Sequence, residues 1–198
     1  MDFKAINQLK IKEAFAGNQT FQRVVVDDDL LTELFECGNR GTLFVYDDLE
    51  VGHCVYVLDT MGLGRDRVFT ISNSAHKDVF LWHIDGVLYK KNSKCDCAVL
   101  DERSFNLVEF KANAANESQK AIEENYQGAS NQLLLTLKDI TNRCNSVGID
   151  IKDVVNVEAY AVFNRTIPRD DALRKRIAAS FLFESKGVKL HFENSKKL

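Results

Sequence analysis

Three features of the 198-residue sequence predict a mixed α/β protein in which helices pack on a mixed central sheet. Short β-branched and aromatic runs recur between residues 42 and 110 with polar or glycine breaks between them, the pattern of antiparallel strands. The stretch 117–144 carries Ile122, Tyr126, Ala129, Leu133, Leu137, Ile140 and Cys144 at spacings of four and three, the apolar stripe of a long helix. Soon after it, 154–163 is an almost unbroken apolar run, as expected of a strand buried on both faces.

A hydrophobic content of 45% can bury a core, and a single proline with no Gly/Ser-rich run argues against a flexible linker. One domain over 1–198 is expected, with its core at about 79–192 and a β-rich N-terminal elaboration over about 1–78. No stretch reaches the roughly 20 apolar residues of a bilayer span, and the start Met1-Asp-Phe-Lys lacks the basic and apolar blocks of a secretory signal. A cytoplasmic protein with no membrane partner is the expectation. The odd set Cys37, Cys54, Cys95, Cys97 and Cys144 suits reduced thiols. A net charge of −3 excludes a global basic field, so nucleic-acid contacts must come from local patches.

In chain order, 3–16 shows an imperfect helical stripe ended by Gly17, and 21–26 is β-branched. Asp27, Asp28 and Asp29 then suit the N-terminus of a helix over 30–37, with Gly38 and Gly41 as its stop. Contiguous aspartates on a helix point different ways, so they read as caps rather than metal ligands. Strands follow at 42–46, 51–58 and 68–72, separated by Asp47-Asp48 and by Met61-Gly-Leu-Gly64, which lacks the third glycine of a dinucleotide fingerprint. Further strands are expected at 79–84 and 86–89, with Asp85-Gly86 as a turn. A hairpin then spans 95–100 and 105–110 around a polar turn at 101–104. Asn116 with Gln119 resembles a capping box for the long helix and Gly148 closes it. Pro168, Asp170 and Asp171 open a last helix to about 183, and 187–192 reads as an edge strand before a basic tail.

The hairpin carries the chemistry. Side chains on a strand alternate faces, so Glu109 and Lys111 share one face, and an odd pairing sum such as 96 with 109 or 111 puts Asp96 there too. Neighbouring strands run ~4.8 Å apart, within reach of one divalent cation, although a cross-strand salt bridge of a surface hairpin uses the same residues. An acid two residues before a lysine also occurs at Asp2-Phe-Lys4, Asp150-Ile-Lys152 and Glu184-Ser-Lys186. Of these triplets, Glu109 alone sits inside an expected strand, follows a strand bearing an aspartate in register, and precedes a long amphipathic helix. Asp101 is set aside because it lies at the turn.

With these residues in this order, 79–163 resembles the PD-(D/E)XK phosphodiesterase superfamily, the restriction-endonuclease-like fold. Lys94-Cys-Asp-Cys-Ala-Val-Leu and Leu107-Val-Glu-Phe-Lys look like the segments of small bacterial members, and Ala129-Ser-Asn-Gln-Leu133 looks like the family's glutamine-bearing helix. The resemblance implies a core of helix, three-stranded meander, helix and strand, with catalytic roles for Asp96, Glu109, Lys111 and Gln132. It implies Mg2+ or Mn2+ held by Asp96 and Glu109, joined by a first-helix acid for which Glu13, Glu33 and Glu36 compete and Glu33 ranks first. The proline of the family name is absent before Asp96, and Thr136 stands where one exonuclease branch has tyrosine, so that branch is not supported.

The function so implied is a metal-dependent nuclease, acting on DNA ahead of RNA, in defence, repair or a mobile element. The alternative is a domain of the same fold without catalysis, serving as a nucleic-acid or protein binding module. Arg169, Arg174, Lys175 and Arg176, with the Lys196-Lys197 tail, are the candidate nucleic-acid contacts. A homodimer or a targeting partner protein stays open. His53, His76, His83 and His191 lack ligand spacing, and Cys95-x-Cys97 lacks a second pair for zinc; both cysteines are expected to face away from Asp96.

Overall fold

The computed structural model describes residues 4–16, 34–63, 67–89, 94–111, 118–163 and 170–198. Its first half contains helices α1 (Lys4–Gln8) and α2 (Ile11–Ala14), then strands β1 (Phe35–Gly38), β2 (Thr42–Asp48), β3 (His53–Val57), β4 (Val68–Ser72) and β5 (Val79–His83). The second half contains β6 (Cys97–Leu100), β7 (Ser104–Lys111), α3 (Gln119–Ser146), α4 (Ile151–Val154), β8 (Asn156–Phe163), α5 (Asp171–Glu184), β9 (Lys189–His191) and β10 (Ser195–Lys197).

Two mixed sheets form. The larger has the order β1-β5-β6-β7-β8-β9, antiparallel as far as β7 and parallel from β7 to β9. The smaller has the order β10-β4-β2-β3. Alternation along β7 explains how the large sheet is covered on both sides. Phe105 and Leu107 join a core that includes Tyr126, Leu133 and Ile140 of α3, whereas Val108 and Phe110 join a core with Leu43, Val45, Phe69 and Ile71 of the small sheet. The result is three layers of helices, large sheet and small sheet. Burial on both faces is why 154–163 reads as continuously apolar.

The long helix forms where its stripe predicts, with Ile122, Tyr126, Ala129, Leu133, Leu137, Ile140 and Cys144 buried. Its cap differs from the expected Asn116–Gln119 box: Ser118 is the N-cap, accepting the Ala121 amide at 3.1 Å, and Asn116 lies outside the described residues. Gly148, at φ 81°, ends it as expected. Asp170 caps α5 by accepting the Leu173 amide at 2.9 Å.

Several elements differ from the sequence expectation. The N-terminal stripe breaks into α1 and α2 at Lys10, whose φ of 46° lets Leu9 and Ile11 both be buried. Of the helix expected over 30–37, Leu34 is helical, but the edge strand β1 takes over at Phe35, which stacks on Trp82; 21–30, with the three aspartates, lies outside the described residues. The strand expected at 86–89 is a turn holding one Asp85–Tyr89 bridge, because Gly86 takes φ 76°. Residues 151–154 form a short helix, so the central strand starts at Asn156. The basic tail is the strand β10, parallel to β4. All five cysteines are free. Among the described residues no helix is long and apolar enough to cross a membrane.

Candidate functional site

The register of β6 and β7 decides whether the hairpin residues meet. Cys97 lies opposite Val108, Ala98 opposite Leu107, Val99 opposite Asn106 and Leu100 opposite Phe105. Each pair sums to an odd number, and Asp96 stands in the bend just before this ladder. Glu109, alternating with Val108 and Phe110, takes the helix-facing side of the sheet with Phe105 and Leu107. The Phe110 amide donates to Asp96 Oδ2 at 2.6 Å, which anchors the aspartate against β7.

The turn at the other end fixes this register. Asp101 Oδ1 accepts the Arg103 amide at 2.9 Å, the Ser104 amide at 2.7 Å and the Ser104 hydroxyl at 2.8 Å, an aspartate turn of the usual kind. Asp101 is thus structural, as its place in the sequence suggests.

Helix α3 completes the site from above. Lys111 Nζ lies 2.6 Å from Glu109 Oε1 and donates to Gln132 Oε1 at 2.5 Å. The other end of the Gln132 amide donates to the Lys94 carbonyl at 3.1 Å, and Thr136 Oγ1 accepts the Cys95 amide at 2.8 Å. Gln132 and Thr136 are one turn apart on α3, so a single helical face grips both the lysine and the strand end that carries Asp96.

Burial makes these acids reluctant to ionise. It pushes the Asp96 carboxyl up to about 7, against the Phe110 amide, and Asp47 pushes the same way. Glu109 is raised well above the usual carboxylate range by burial and then by Asp96. Its Oε2 is buried without a hydrogen-bond partner. Asp85 and Asp47 are also raised, each chiefly by burial. Thr136, which holds the Cys95 amide, was missed as a positioning residue, because its sequence signal looks only like a lost tyrosine.

The remaining candidates do not gather here. Glu36 Oε2 accepts the Tyr56 amide at 2.9 Å and so tethers β1 to β3. Glu13 is exposed on α2, and Glu33 lies outside the described residues. Cys97 points into the core between the sheets, as expected, but Cys95 lies in the helix-side core because the Thr136 bond turns the chain there. Arg174 donates to the Tyr126 hydroxyl at 2.9 Å and packs over Phe192, and Arg176 pairs with Glu123. Lys175 is exposed, Arg169 lies outside the described residues, and Lys196 is ion-paired with Glu158. The His83 ring lies tilted against His53 with centroids 4.6 Å apart, and burial, then His53, lowers it to about 4.

A divalent cation suits the Asp96 and Glu109 donors. Two hard oxygen ligands that burial drives towards neutrality, one with an unpartnered oxygen, would be relieved by positive charge between them. Among the described residues no group of three or more His, Cys, Asp or Glu side chains converges as a metal cluster. The protein would thus supply two carboxylates and leave other positions to water, the usual arrangement for Mg2+. Comparison with known proteins returned no match, whether to a family model, a curated protein or a solved structure.

Proposed function

We propose that this chain is a Mg2+- or Mn2+-dependent phosphodiesterase that cleaves nucleic acid, DNA ahead of RNA, on a restriction-endonuclease-like core. Asp96, bonded by the Phe110 amide of β7 next to Glu109, and Lys111, ion-paired with Glu109, carry this reading. The connectivity adds support: β5, β6 and β7 form a meander, and α3 crosses over to β8, parallel to β7, in keeping with the meander, helix and strand that the resemblance implies.

Asp96 and Glu109 would hold the cation. When bound, such an ion acidifies an attacking water and offsets charge that grows on the phosphate. Glu109 and Gln132 fix the Lys111 nitrogen from two sides. A lysine carries three donors, so one is left to bond a phosphate oxygen as negative charge develops there. The Phe110 amide orients Asp96 through Oδ2, and Oδ1 would be the oxygen offered to the cation.

Incubation of the protein with plasmid, single-stranded DNA and RNA in Mg2+ or Mn2+ tests this. Cleavage is expected, and it should fall by about 100-fold or more in Asp96→Ala and in Lys111→Ala. Activity equal to the parent in both variants would overturn the proposal. One observation favours the binding module instead: Lys111 and Asp96 already have partners within the chain. That module would bind DNA equally well with and without divalent cations and would cleave nothing.

A further inference from the structure

Lys94 carries a charge that the proposed reaction does not use. Its Nζ donates to the Leu135 carbonyl of α3 at 3.3 Å and lies 5.3 Å from the centre of the Tyr89 ring. A carbonyl and a ring face hold an ammonium in place without neutralising it. Lys111, Lys138 and Lys196, by contrast, are each paired with a carboxylate. Asp139, which accepts the Tyr89 hydroxyl, is matched by Arg143 Nε at 3.0 Å, and among the described residues no acid pairs with Lys94. Leu135 is 49% exposed, so this turn of α3 lies open to solvent.

The Gln132 side chain ties this cation to the one in the site: its Oε1 accepts Lys111 Nζ and its Nε2 donates to the Lys94 carbonyl. Lys111 thus meets α3 at Gln132 and Lys94 meets it at Leu135, a rise of ~4.5 Å along the helix, the scale of one nucleotide step. We propose that Lys94 binds the phosphate next to the one that is cut, so that the substrate is a polynucleotide strand and not an isolated phosphodiester. This rests on Asp96, Glu109 and Lys111 being the cleavage site. A lysine has three donors, and Lys94 spends one on Leu135, which leaves the others for phosphate oxygens. Because the contact is to the backbone, it adds affinity without base preference.

Steady-state cleavage by the full chain tests this, on an oligonucleotide cut at a mapped position and on copies in which the 5′ or the 3′ neighbouring phosphate is an uncharged methylphosphonate. Neutralising one of the two neighbours should lower the parent's kcat/KM about tenfold or more, the size of one charged hydrogen bond, chiefly through KM. Lys94→Gln should lose the same factor on the natural oligonucleotide, lose little more on the neutral one, and flatten the plot of log KM against log salt by about one unit of slope. Lys94→Arg should recover most of the loss. Lys4→Gln, the same change of charge at the turn end of the hairpin, where Lys4 pairs with Glu102, should behave like the parent. Parent-like kcat/KM in Lys94→Gln would overturn this inference and leave the proposed function standing. A loss that the methylphosphonate still compounds about tenfold would make the role of Lys94 structural and overturn it as well. A parent that cleaves no nucleic acid would overturn both.

Discussion

Thr136 Oγ1 accepts the Cys95 amide at 2.8 Å and donates to the Gln132 carbonyl at 2.8 Å, so one side chain of α3 ties the start of β6 to the helical turn that carries Gln132. The position of Asp96 is therefore set from the strand by Phe110 and from the helix by Thr136 through its neighbour.

Thr136→Val keeps the shape and removes the acceptor. The Cys95 amide would be left buried and unpaired, at a cost of about 1–3 kcal/mol, and Asp96 would lose its support. Urea unfolding should show the lower midpoint, and cleavage should fall with it; Thr136→Ser should restore both. A valine variant as stable as the parent would remove this role.

Gln132→Leu frees one side of the Lys111 nitrogen while Glu109 still holds the other. Turnover is expected to drop about tenfold, the size of effect seen when a supporting partner is lost, with KM little changed because substrate contacts stay. A change confined to KM would place Gln132 on the substrate instead.

The acids give stability a pH dependence of known sign. Asp96 rises from 3.8 to about 7 on folding, chiefly through burial. Between those values the folded chain keeps a proton that the unfolded chain has released, so its contribution is complete below pH 4 and is lost as pH rises through about 7. Glu109 is shifted the same way. In EDTA, the melting temperature should decline from pH 5 to pH 8, and Asp96→Asn should flatten that decline. A steeper decline in Asp96→Asn would contradict the assignment.

Glu158 behaves oppositely. Burial would raise it, but the bonds from Lys196 and Tyr160 outweigh burial and bring it down to about 2. Its stabilisation is present above the usual glutamate range and is lost as pH falls towards 2. Lys196→Ala leaves Glu158 mostly buried without its main partner, which should cost about 2–4 kcal/mol. Guanidinium unfolding of Lys196→Ala, Glu158→Gln and the pair should show strong coupling; additive losses would mean that the two act independently.

The hairpin site was legible because its logic is arithmetic. Period two places Glu109 and Lys111 together, and an aspartate turn at 101–104 then selects the odd register that brings Asp96 across. Gln132 came from the resemblance, since nothing in the helical stripe separates it from other polar residues. The bond from the Asp85 amide to the Asp96 carbonyl was illegible for a physical reason: Asp85 sits in a pair that turn chemistry explains. Four residues at 35–38 are too few for any period to show. Ser195-Lys-Lys197 has no strand composition, and it becomes a strand through backbone bonds to β4, continued by the Leu198 amide to the Ser72 carbonyl at 3.1 Å.

The parallel pairing of β7 with β8 bears on the order in which the site comes together during folding. β6 and β7 are joined by a tight turn and can pair within ~1–10 μs, whereas β8 cannot join until α3 has crossed the sheet. Asp96 and Glu109 are thus brought near one another in a local hairpin before Gln132 or Thr136 can reach them. Lys111 lies on that same hairpin, so the charge that offsets the two acids is already in place at the earliest step.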